Sequence, residues 1–128
     1  LMVKGCAGVV TDGGFRDSNE IKNLQIPSYH NRASSPTNLT LHQAIDINVP
    51  IGCGDVAVWP GDLLVGDKEG VVVIPAHIIQ EIAGEVRSMT IYEDYVIEKV
   101  RKGSSIKGLY PLTDAKEKSA FEDWFKTN

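Results

Sequence analysis

Apolar positions in this chain change their spacing once, near Pro75. Before that residue they come in short runs of strand-forming residues closed by glycine or proline. Residues 7–11, Leu63–Gly66 and Val71–Ile74 are the clearest, and runs of this length and composition predict buried strands. Residues 49–51 and Val56–Val58 flank Gly52-Cys53-Gly54, which predicts short strands about a tight turn or bulge. Asp12-Gly13-Gly14 and Pro60-Gly61-Asp62 read as turns, and Asp67-Lys68-Glu69-Gly70 as a hairpin connection. Residues 27–38 read as loop, and residues 39–47 alternate weakly enough to suit extended chain. Asp17-Ser18-Asn19-Glu20 has the residue types of a capping box, with Glu three positions after an N-cap acid. The helix it opens is short, because Pro27 bars continuation beyond Leu24. After Pro75, Ile78, Ile82, Val86, Met89, Tyr92, Val96 and Val100 recur at intervals of three and four. That is one face of a helix over residues 77–102, with Gly103 as its natural stop. A second helix over residues 114–125, opened by Thr113 or Asp114, carries Phe121, Trp124 and Phe125. Strands followed by helices predict one layered α/β domain: a strand-rich core over residues 1–75 and C-terminal helices over residues 76–128.

Composition narrows the picture. A chain of 128 residues holds one domain at most, and a domain of that size can bury a sizeable core without staples. The net charge of −4 leaves no basic excess to displace counterions from phosphates, which argues against a nucleic-acid partner. No run approaches the ~18 consecutive apolar residues of a membrane-spanning helix, so no membrane partner is expected. Cys6 and Cys53 lack any paired or zinc-like spacing. They are expected to be small buried hydrophobes in a reducing compartment, the cytoplasm, with a disulfide or a catalytic thiol as the alternatives. The chain enters an apolar run directly after Leu1-Met2-Val3-Lys4-Gly5, as a helix end feeding a strand inside a fold would. An N-terminal portion of the domain is therefore expected elsewhere, missing or on a second chain.

The densest polar cluster is Asp12-Gly13-Gly14-Phe15-Arg16-Asp17, a strand end, a glycine turn and a helix start. Ligands of α/β folds gather at strand ends. A guanidinium grips a carboxylate through paired hydrogen bonds, and a carboxylate holds Mg²⁺ or Mn²⁺ directly or through water. The same pair also reads as a helix cap at Asp17 beside a surface arginine. Asp62 and Asp67 read as turn residues that satisfy backbone amides, His77 as a residue near a helix start, and Trp59 and Trp124 as core or subunit contacts.

Gly8-Val9-Val10-Thr11-Asp12-Gly13-Gly14-Phe15-Arg16-Asp17 resembles the GVVxDGxxRD signature of the RraA-like superfamily. A second block is similar to that superfamily too: Asn48-Val49-Pro50-Ile51, Gly54, Pro60-Gly61-Asp62, Gly66-Asp67 and Gly70 through Pro75. The resemblance covers roughly residues 1–110. It implies an α/β/β sandwich akin to the swivelling phosphohistidine domain, here without its N-terminal part, and trimers or hexamers with sites between subunits. It implies a class II aldolase that needs Mg²⁺ or Mn²⁺, cleaves a 4-hydroxy-2-oxo acid to pyruvate, and decarboxylates oxaloacetate through the same enolate. Carried over, Arg16 is the catalytic and substrate-binding residue and Asp17 the metal anchor.

Two departures and one further match qualify what the resemblance implies. The family's Gly-Asp loop, from which the resemblance implies the water-activating aspartate comes, precedes the signature strand and is not in this sequence. An acidic residue supplied by a neighbouring subunit matches Glu93, about ten residues before Gly103, which reads equally as part of a solvated helix face. The aldolases' basic "PVFARG" strand is replaced by Pro27-Ser28-Tyr29-His30 and Ala33-Ser34-Ser35-Pro36. That leaves His30, Arg32, Thr37, Asn38 and His42 as candidates for the substrate's distal end, or as loop and core residues. The superfamily also contains non-catalytic regulators that inhibit an RNA-degrading endonuclease by protein contact. In those the acid of the Arg-Asp pair is typically lost, whereas this chain keeps Asp17. A historical methyltransferase label does not fit, since no GxGxxG loop opens a helix after a strand.

Overall fold

Apolar runs cut this short by glycine cannot form long strands, and a computed structural model, which describes residues 1–37, 40 and 42–127, shows ladders two to four residues long. Backbone contacts gather residues 1–77 and residues 78–128 into two compact units.

In the first unit, β1 (Val9–Val10) pairs in parallel with β3 (Ser28–Tyr29), Val9 opposite Ser28. Likewise β2 (Gly14–Phe15) pairs in parallel with β4 (Arg32–Ala33), Gly14 opposite Arg32. The sequence shows no period for β3 and β4, which lie in the segment expected to be loop. Two-residue strands in a parallel pair are too short to impose an alternation. Conversely, residues 39–47 build no strand among the described residues, and their alternation points at no partner. Asn38 lies outside the described residues.

Two antiparallel hairpins complete this unit. One joins β5 (Ile51–Cys53) to β6 (Val56–Val58). Its turn residues are Gly54 and Asp55, both with positive φ (58° and 63°), the conformation of a tight two-residue hairpin turn. The turn therefore sits one step later than Gly52-Cys53-Gly54 suggests. The other hairpin joins β7 (Leu63–Gly66) to β8 (Val71–Ile74). Asp67 Oδ1 accepts from the amides of Glu69 (2.7 Å) and Gly70 (3.3 Å) and closes that connection. Asp62 accepts from the Trp59 amide at 2.8 Å and the Ala76 amide at 3.1 Å. Both aspartates thus serve turns. Gly66 lies where the Tyr29 ring passes, and a Cβ there would be 2.7 Å from Tyr29 Cζ.

The helical unit holds α2 (Ile79–Arg101), led in by a 3₁₀ turn over Ala76–Ile78, and α3 (Ala115–Thr127). Gly103 follows the end of α2 with φ 92°. Asp114 Oδ1 accepts from the amides of Lys116 (2.8 Å) and Glu117 (3.3 Å), which is the capping the sequence suggests. Tyr95, Val96 and Leu109 are buried here, against Tyr92, Phe121 and Trp124.

The buried core is smaller than the chain's length promised. Among the described residues only Ile26, Tyr95, Val96 and Leu109 are buried apolar side chains, and Ile51, Trp59, Val65, Val72, Val86 and Met89 are exposed. Isolated two-stranded ladders leave both faces open, so an apolar run alone does not secure burial. Cys6 and Cys53 are half-buried free thiols rather than core residues. Among the described residues, no helix is long and apolar enough to cross a membrane.

Candidate active site

The Arg-Asp pair sits where β2 gives way to the short helix α1 (Ser18–Ile21). Thr11 Oγ1 accepts from the Gly13 amide at 3.0 Å and shapes the glycine turn before it. Asp12 accepts from the Gly54 amide at 3.2 Å and so ties that turn to the β5–β6 hairpin. Gly14 must be glycine, since a Cβ there would lie 2.6 Å from Ser34 Cβ and 3.0 Å from the Arg32 carbonyl oxygen.

Asp17 takes the N-cap position but does not cap. Its backbone is left-handed (φ 57°, ψ 33°), and its carboxylate makes no hydrogen bond to the helix amides. A working cap has extended backbone, which aims its oxygen at the second or third amide. The left-handed turn forfeits that aim, so the capping box does not form, and Glu20 makes no return bond to the Asp17 amide. The Asp17 carboxylate instead faces Arg16, Oδ1 to Nε at 3.5 Å, with both side chains more than half exposed.

The pair borders a concavity of about 310 Å³, lined with Phe15, Ser18, Asn19, Glu20 and residues 33–35 that follow from β4. The parallel β2–β4 ladder brings residues 33–35 to this wall, with the Ser34 amide donating to the Phe15 carbonyl at 2.8 Å. On Phe15, the His30 ring stacks at 4.7 Å between centroids and 17° between planes. His30 Nδ1 lies 2.7 Å from the Arg32 carbonyl oxygen, so that nitrogen carries the donated proton. His30 therefore braces the site from behind and does not line the concavity.

Of the other candidates, Arg32 is exposed on β4, Thr37 pairs its hydroxyl with that of Thr40 at 2.7 Å, and His42 is exposed. Glu93 belongs to the helical unit, exposed on α2. Ser34 and Ser35 were legible only as a departure from a motif. The signal that places them at the site is the pairing of two strands too short to read. Among the described residues, no three His, Cys, Asp or Glu side chains cluster as a metal cage. The donor set is two carboxylates, Asp17 paired with Arg16 and Glu20 without a described partner, and so small a set suits an ion that keeps most of its water, as Mg²⁺ commonly does.

Comparison with known proteins gives consistent results. Residues 1–73 match the model of the RraA-like family, described as Aldolase/RraA. An uncharacterized protein of Methanocaldococcus jannaschii is 35% identical over 114 residues, which are 86% of this chain and 52% of that protein. A 4-hydroxy-4-methyl-2-oxoglutarate aldolase of Thermus thermophilus is 32% identical over 72 residues, 56% of this chain and 43% of that one. Among solved structures, Streptomyces coelicolor RraAS2, an unusual member of the RNase ES inhibitor RraA protein family, superposes with a TM-score of 0.63 at 30% identity. That match covers 77% of this chain and 50% of RraAS2. The chain spans about half the length of the curated relatives it matches.

Proposed function

This chain belongs to the RraA-like family and has its mixed α/β fold, and from that premise we propose that it carries the arginine–aspartate part of a metal-dependent lyase site. The reaction is cleavage of a 4-hydroxy-2-oxo acid to pyruvate, with decarboxylation of oxaloacetate as a side activity. The observation that carries this reading is the state of Asp17. Its backbone is held left-handed, its carboxylate is withdrawn from capping, and Arg16 lies beside it at the rim of an open concavity. Backbone strain of this kind persists where the surrounding structure enforces it, and it concentrates at functional sites.

Asp17 would hold Mg²⁺ or Mn²⁺, largely through water. A divalent cation supplies positive charge to the carboxylate and keto oxygens of a 2-oxo acid. Arg16 grips the substrate's carboxylate and stabilises negative charge that develops beside it. Glu93 is a candidate acid contributed from a neighbouring subunit of a trimer or hexamer.

The assay is direct. Purified full-length protein with Mn²⁺ should release pyruvate from a 4-hydroxy-2-oxo acid, and chelation of the metal should stop it. No pyruvate from any such acid, together with intact oxaloacetate, sinks the reading. The likeness to RraAS2 favours a second one, a non-catalytic regulator that binds an RNA-degrading endonuclease. Tight, metal-independent binding to such a nuclease without lyase activity selects it. The retained Asp17 favours the enzyme.

A further inference from the structure

The concavity beside Arg16 and Asp17 has a chemical character of its own. Its polar wall consists of Ser18, Asn19, Glu20, Ser34 and Ser35, and Arg16 is the sole cation lining it among the described residues. None of the side chains of those five wall residues makes a hydrogen bond or ion pair with any described residue. Three hydroxyls, an amide and a carboxylate on residues lining the space are therefore uncommitted. Arg16 is already engaged if it holds the substrate's 2-oxo acid end. A second carboxylate at the far end would meet no partner cation and would face the Glu20 carboxylate, a like-charge contact. Hydroxyl groups would find donors and acceptors on every side.

We infer that this site selects a 4-hydroxy-2-oxo acid whose distal end is uncharged and hydroxylated, as in a 3-deoxy-2-oxo sugar acid, over one bearing a second carboxylate. The inference rests on the lyase reading above. The cleavage is redox-neutral. The C4 hydroxyl gives up its proton, the C3–C4 bond breaks as the C4 carbonyl of the departing aldehyde forms, and the bond's electron pair stays with C3. Protonation at C3 then completes pyruvate. The substrate named for the Thermus thermophilus relative carries the second carboxylate, so this selection would set the chain apart from that protein.

The test compares pyruvate release by the full-length protein with Mn²⁺ from 3-deoxy-2-oxogluconate and from 4-hydroxy-4-methyl-2-oxoglutarate. The expected kcat/KM ratio favours the sugar acid by about tenfold or more, the scale of one lost or gained charged contact. Glu20→Lys should lower that ratio about tenfold by giving the dicarboxylate a cation. Ser34→Ala with Ser35→Ala should raise KM for the sugar acid about fivefold, as expected for lost hydrogen bonds. Preference for the dicarboxylate overturns this inference and leaves the lyase reading standing. Pyruvate from neither substrate overturns the lyase reading, and this inference with it.

Discussion

Asp17 keeps a backbone conformation that most side chains avoid, yet its carboxylate does nothing for the helix it begins. That combination separates stability from activity. Asp17→Gly relieves the left-handed strain, which costs a side chain about 1–2 kcal/mol and aspartate rather less. The expected result is a protein as stable as the parent, or up to about 1 kcal/mol more so by denaturant unfolding, with its lyase activity gone. A clear loss of stability would show the carboxylate to be structural after all. Arg16 offers a parallel case. Its ion pair with Asp17 is solvent-exposed and between chain neighbours, so it adds little to folding. Arg16→Lys keeps the charge but loses the planar fork that matches a carboxylate. Steady-state kinetics should show kcat/KM down about 10²-fold with the unfolding midpoint unmoved. Both residues are legible in the sequence because they stand together in one contiguous motif. The serines opposite are not, since only the fold brings residues 34 and 35 to them.

The β2–β4 ladder positions the pair, and Gly14 is its tightest point. Gly14→Ala would drive a methyl group into Ser34 and the Arg32 carbonyl. Such overpacking costs roughly 1–3 kcal/mol, and pushing β4 away should lower activity as well, which thermal unfolding and kinetics on one sample would reveal. In the helical unit, Tyr95 donates to Glu117 at 2.9 Å and Trp124 Nε1 to Glu98 at 3.0 Å, while Lys99 pairs with Glu117 at 3.2 Å. Burial, then the Glu117 hydrogen bond, raises the Tyr95 phenol, and the Glu117 hydrogen bond raises Lys99. Groups raised by folding contribute fully below their ordinary values and lose that contribution as pH rises through the folded ones. The helices should therefore loosen above about pH 10. Glu98 is lowered, first by its bond from Lys102 and then by Trp124. Its contribution is present above the ordinary carboxylate range and is lost as pH falls through the lowered value. Trp124 fluorescence should report both limbs, and Glu98→Gln should remove the part of the acid limb that Glu98 causes. An unchanged acid limb would exclude Glu98 as its cause. The long helix and the β7–β8 hairpin could be read from the sequence because their periods run for many residues or end at a strong turn. The parallel pairs could not, for they are two residues long.

The chain accounts for about half of its curated relatives' length, and it leaves exposed apolar residues on both hairpins and on α2. A solved relative superposes over half of its own length. We expect these faces to be covered in an assembly of several copies, and sedimentation equilibrium of the full-length protein should give a mass near three or six subunits. A monomer that stays dispersed at high concentration would count against that. The family and its fold class were legible because two ordered motif blocks, one ending at Asp17 and one at Pro75, carry them. The extent of burial was not, because apolar composition does not say whether a strand finds a neighbour. The proposed site depends above all on Asp17 as the metal's anchor. Pyruvate release from a 4-hydroxy-2-oxo acid, measured across an Mn²⁺ titration for the full-length protein and for Asp17→Asn, tests this most directly. A well-folded Asp17→Asn protein that has lost at least about 10²-fold in turnover, and needs far more Mn²⁺ for what remains, is the predicted result. Equal turnover at equal Mn²⁺ would contradict it.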